Sequence, residues 1–126
     1  MSHTTDEVTT AEQLAALPDD GNRYELVEGV LKIMSPAGFR HGRIAGKLLR
    51  RIGDYVEKHR LGETSTAETG FLIRQDPDSV RAPDVAFIAT DRVAPFVHHA
   101  GYLPLAPDLV AEVVSPGDRS SDVESK

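Results

Sequence analysis

Hydrophobic positions along this chain change period several times, and each change marks an element. Between residues 41 and 59 the apolar side chains recur at helical spacing. At about 100° per residue, Ile44, Leu48, Ile52 and Tyr55 share one face, with Val56 beside them. Arg40, Arg43, Lys47, Arg51 and Lys58 gather on nearly the opposite face. This predicts an amphipathic surface helix over residues 41–59 with a basic outer stripe. His41 is in phase with the apolar face at the helix start, and Gly62 is placed to cap its end.

Elsewhere the pattern reads as strands and turns. Arg23-Tyr24-Glu25-Leu26-Val27 and Val30-Leu31-Lys32-Ile33-Met34 are β-prone runs around the pair Glu28-Gly29, which predicts a hairpin. Residues 63–68 and 70–74 suggest a second hairpin, followed by a turn at 75–78. Pro83 precedes a strand over 84–88, and 91–105 reads as a loop with a short helical piece. Asp108-Leu109-Val110-Ala111-Glu112-Val113-Val114 is an apolar strand interrupted by one acid, and 115–118 ends it. At the N-terminal end, Thr9-Thr10-Ala11-Glu12 fits a capping box and predicts a short helix over 11–17, after a frayed tail over 1–8. Ser121-Asp122-Val123-Glu124 repeats the capping pattern and should open a helix, so a chain ending at Lys126 reads as truncated.

Composition narrows the class. The 126 residues suit one domain, and 40% hydrophobic with 27% charged residues is ordinary for a globular protein. The absence of cysteine excludes a disulfide framework and a cysteine zinc site. The N-terminus lacks the apolar core of a signal peptide, and no apolar run reaches the roughly 20 residues of a membrane span, so a cytoplasmic location is expected. The net charge of -6 opposes non-specific nucleic-acid binding. Yet seven of the fourteen Lys and Arg residues fall between Arg40 and Arg60, against only Asp54 and Glu57. Arg40, Arg43, Lys47 and Arg51 are therefore the candidate phosphate contacts, with a solvated helix face as the plainer alternative.

Glu112 is the position on which the chemistry turns. It interrupts a run that reads as a buried strand, and a buried carboxylate needs a partner. One partner is a divalent cation shared with Asp84, which opens another apolar strand. If the two strands are neighbours, the carboxylates converge at their ends. Hard oxygen ligands suit Mg²⁺ or Mn²⁺, which activates water and stabilises phosphodiester charge. The alternative is that Glu112 pairs with an arginine such as Arg81, and that Asp84 merely caps a strand after Pro83.

Five motifs in order carry a resemblance. Arg23 to Gly29, then Ser35-Pro36 and His41, Arg81-Ala82-Pro83-Asp84-Val85, Pro107-Asp108-Leu109 leading to Glu112-Val113-Val114-Ser115-Pro116, and Asp122 with Lys126 resemble the Uma-two family. Those proteins are endonucleases of the PD-(D/E)XK, restriction-endonuclease-like class. The resemblance implies that Asp84 and Glu112 are metal ligands and that the Val113 carbonyl is a third. It implies a lysine displaced from Val114 to Lys126, there to orient the attacking water; the alternative for Lys126 is an ion pair with Asp122. Glu25 matches an acid that completes the site, against a solvent-facing hairpin position. His41 matches a site position, against a satisfied core histidine. The adjacent pair His98-His99 reads as surface.

The expected fold is therefore α/β (α+β): a restriction-endonuclease-like, mixed and mostly antiparallel β-sheet with flanking helices, truncated at its C-terminus. The expected activity is Mg²⁺-dependent hydrolysis of DNA, with DNA as partner, no membrane, and a homodimer as an option. The alternatives are a non-catalytic DNA-binding or interaction module on the same scaffold, and a structural domain in which Arg81 neutralises Glu112.

Overall fold

A computed structural model describes residues 8–114 of the protein. The elements in order are α1 (Ala11–Ala15), β1 (Arg23–Val27), β2 (Val30–Met34), α2 (Phe39–Lys58), β3 (Gly62–Thr66), β4 (Phe71–Arg74), β5 (Ser79–Arg81), β6 (Val85–Ala89), α3 (Thr90–Val93), a 3-10 turn (Ala94–Phe96) and β7 (Leu109–Ala111). The α+β class expected from the sequence holds. The strands divide, however, into two antiparallel sheets, ordered β2-β1-β5-β4 and β3-β6-β7; the parallel element is an isolated bridge between Phe71 and Leu103. The backbone contacts likewise define two compact units.

The first unit holds the four-stranded sheet and α1. Its hairpin follows the sequence reading residue by residue, from Arg23↔Met34 to Val27↔Val30. Glu28 and Gly29 adopt φ of 49° and 78°, the two positive values a tight hairpin turn demands. Leu26 is fully buried and packs with Val8, Leu14 and Val80, ringed by Leu17, Tyr24 and Tyr102. Val8 therefore belongs to the core rather than to a frayed tail, because its 2% exposure removes an apolar side chain from water. The capping box sits one residue later than expected. Thr10 Oγ1 accepts the Gln13 N–H, and the Gln13 side chain accepts the Thr10 N–H.

The second hairpin does not form. Residues 62–66 pair with β6, whereas 71–74 pair with Ser79–Arg81, so the two predicted partners enter different sheets. A period-2 pattern fixes which side chains share a face, not which strand lies alongside.

In the second unit α2 packs against β3 and β6. Val56 is its buried residue, with Ile44, Ala45, Leu48, Leu49, Ile52 and Gly53 partly covered. The buried face is thus rotated toward Leu49 and Val56, and Tyr55 lies at its margin, 61% exposed, with its ring against His59. The helix ends differently from the expectation as well. Arg60, not Gly62, takes the left-handed conformation at φ 52°. The Leu61 N–H reaches the Val56 carbonyl at 2.9 Å and the Arg60 N–H reaches Glu57 at 3.2 Å, the paired bonds of a Schellman ending. Glycine suits such a position better than a residue with a Cβ. Arg60→Gly is expected to stabilise the protein by about 1 kcal/mol, measured as a higher urea midpoint.

Strand β7 corrects another reading. It covers three residues and forms the edge of its sheet, with Leu109 53% and Val110 41% exposed. The run around Glu112 is not a buried strand. Asp108 secures its start: Oδ2 accepts the Ala89 N–H at 2.7 Å, and Oδ1 accepts from Arg92 at 2.8 Å.

These bonds, first the Ala89 amide and then the Arg92 guanidinium, hold the Asp108 carboxyl below its ordinary value. A depressed folded value means stability that is fully present above the ordinary carboxylate range and is lost as pH falls through the folded value. Asp108→Asn is accordingly expected to flatten the acid limb of a thermal-stability profile. An unchanged acid limb would show that the contact carries no linkage.

Candidate active site

The site is assembled where β6 begins and β7 ends. Their register runs Val85↔Ala111, Ala86↔Val110 and Phe87↔Leu109. One step beyond that register, Asp84 precedes β6 and Glu112 follows β7. The Val113 N–H closes this end by donating to Asp84 Oδ2 at 2.8 Å. That bond ties the segment that carries Glu112 to Asp84, 29 positions before Val113.

Helix α2 supplies the third member. His41 lies in its first turn, and Nε2 is 3.1 Å from the same Asp84 Oδ2. The side chains are 16% and 4% exposed for His41 and Asp84. An aspartate this buried needs such partners, since desolvation of an ionised carboxylate is costly. Glu112 is half-buried, and its Oε1 is shielded from solvent. Asp84 is thus more than an end-cap to its strand, and His41 is joined to it rather than to an apolar core.

The other expected site residues lie elsewhere. Glu25 belongs to the first unit and is 3% exposed, which overturns the solvent-facing reading of its hairpin position. Leu26 pairs with Val80. Arg81, the residue after Val80, is itself 7% exposed. Arg40, Arg43, Lys47 and Arg51 are all exposed on α2. His98 and His99 are exposed too, the latter edge-on to the Phe96 ring at 5.6 Å. Lys126 and the helix expected to carry it lie outside the described residues.

The donor set suits a hard cation. Carboxylates are the donors Mg²⁺ takes, one or two at a time, with several waters kept. Among the described residues no group of three or more His, Cys, Asp or Glu side chains is arranged to hold a metal. Sequence inspection missed two supports of this site. Asp108 and the Val113 amide act through long-range hydrogen bonds that no spacing rule reports.

The α+β architecture, two antiparallel sheets with helices, is consistent with a restriction-endonuclease-like fold. The chain belongs to the Uma2 family, described as "Putative restriction endonuclease", whose family model matches residues 11–126. That membership supports a nuclease-like role. No curated protein matches the chain. Among the described residues no helix is long and apolar enough to cross a membrane.

Proposed function

We propose that this protein is a Mg²⁺- or Mn²⁺-dependent endonuclease that hydrolyses DNA phosphodiester bonds. The observation that supports it most is the junction of β6 and β7, where the amide of Val113, the residue after Glu112, donates to the buried Asp84 carboxylate. In this reading Asp84 and Glu112 hold the cation, with the Val113 carbonyl as a third ligand. The ion supplies Lewis acidity, lowering the pKa of water and neutralising charge on the phosphate. His41 positions Asp84 through its ring nitrogen. Glu25 is assigned a supporting acidic role and Lys126 the orientation of the attacking water.

The test is direct. Purified protein with Mn²⁺ or Mg²⁺ should nick plasmid DNA, and calorimetry should detect cation binding that Asp84→Asn removes. A protein that neither nicks DNA with either ion nor binds one is not this enzyme. The rival, a non-catalytic DNA-binding module on the same scaffold, draws on the exposed basic row of α2. It is favoured if DNA binds without cleavage under every cation.

A further inference from the structure

The sequence offers the outer face of α2 only as candidate phosphate contacts, with no form of nucleic acid attached, and that face is unusual. Residues 39–51 contain Arg40, Arg43, Lys47, Arg50 and Arg51 and no acid, in a chain whose net charge is -6. At about 100° per residue these five and Phe39 fall within one sector of roughly 120°. All six are exposed. Among the described residues none of the five cations forms an ion pair or hydrogen bond.

Folding does not explain them. The first turn of α2 carries no acid, and its N-cap Gly38 makes no side-chain bond. Arg40 sits there against the positive end of the helix dipole, where cations weaken a helix, and Arg43 follows in the next turn. Phe39 is 84% exposed, so its ring contributes almost nothing to a core. A local rule broken without an internal gain points to a role outside the fold. Asp54 and Glu57 share this side of the helix but only one to two turns further on, beside Arg50, Arg51 and Lys58, which leaves Arg40, Arg43 and Lys47 uncompensated.

We propose that this face binds single-stranded nucleic acid. Arg40, Arg43 and Lys47 would neutralise successive phosphates, and the Phe39 ring would stack on an unpaired base. A second copy of the chain fits poorly, because two such faces would repel one another. A polyanion with exposed base faces matches both features, as in single-strand binding grooves that join basic rows to aromatic platforms. The row begins in the turn that carries His41, the partner of Asp84, so a bound strand would lead toward the candidate site. This deepens the nuclease reading by naming the form of its substrate: an unpaired strand rather than an intact duplex.

The test is fluorescence anisotropy of a labelled single strand and its duplex with the full chain in EDTA, where cleavage plays no part. Failure of the nuclease reading would leave binding intact, and failure of binding would leave any cleavage to be measured separately. Between about 50 and 200 mM salt, the triple variant Arg40→Gln, Arg43→Gln, Lys47→Gln should lower the salt slope by about two, at roughly 0.7 per phosphate contact on a single strand. Phe39→Ala should weaken single-strand binding by about 5- to 100-fold and leave the slope unchanged. Lys32→Gln, an exposed charge in the other unit, controls for net charge. The proposal is overturned if wild-type protein does not bind, or if the triple variant keeps the wild-type slope. It is equally overturned if Lys32→Gln lowers the slope as much per charge, or if Phe39→Ala binds the single strand as wild type does. Glutamine keeps helix propensity at these exposed positions, and a thermal melt confirms that each variant is folded.

Discussion

Asp84→Ala is expected to lower metal-dependent cleavage by on the order of 10³-fold or more, about 4 kcal/mol of transition-state stabilisation. The substitution removes a carboxylate proposed to hold the cation. It also removes the acceptor of the Val113 amide at 2.8 Å and the partner of His41 at 3.1 Å. Losing that buried acceptor should cost roughly 1–3 kcal/mol of stability on its own. The two losses must be separated, and Asp84→Asn does so. Its amide oxygen can still accept the Val113 N–H, so the strand end survives while the charge does not. Near-native melting with cation binding lost by calorimetry, and cleavage lost with it, identifies a metal ligand. Wild-type cleavage by Asp84→Asn would refute that role. His41→Ala should have a smaller effect, about 10- to 100-fold, as expected for a group that orients a ligand.

Gly62→Ala is expected to remove a large part of the stability of the protein. Gly62 opens β3 opposite Ala89 with φ of +156°. A Cβ there would lie 1.9 Å from the Ile88 carbonyl oxygen, 2.9 Å from its carbon and 3.0 Å from the Ala89 Cα. All three are backbone atoms of the neighbouring strand, and no rotamer change can relieve the clash. Separating β3 from β6 would uncover Ile88, 2% exposed, and Ala86, 1% exposed. A cost of about 3–5 kcal/mol follows, out of the roughly 5–15 kcal/mol a native protein has. Gly53→Ala is the control. Its Cβ meets Thr64 Oγ1 at 3.6 Å, an ordinary contact, and alanine favours a helix. Urea denaturation should therefore show a collapse for the first variant and no loss for the second. A Gly62→Ala midpoint close to wild type would mean that β3 and β6 are not packed so closely.

Both predictions rest on places where strands far apart in sequence meet, and that divides what was legible from what was not. The sequence by itself determined the hairpin over residues 23–34, whose turn and register are local, and the long amphipathic helix, whose period is local too. It also marked Asp84, Glu112 and His41 as candidates, since an acid opening one apolar run, an acid interrupting another and an inward histidine are visible in any window. Tertiary structure decided the rest. It sent residues 62–66 and 71–74 into separate sheets, because β-pairing needs a partner that alternation does not name. It made β7 an edge strand, because apolar content is the same whether one neighbour is present or two. It buried Glu25, and it joined His41 to Asp84 across 43 residues, because burial and long-range hydrogen bonds depend on what packs alongside in space rather than on what comes next in the chain.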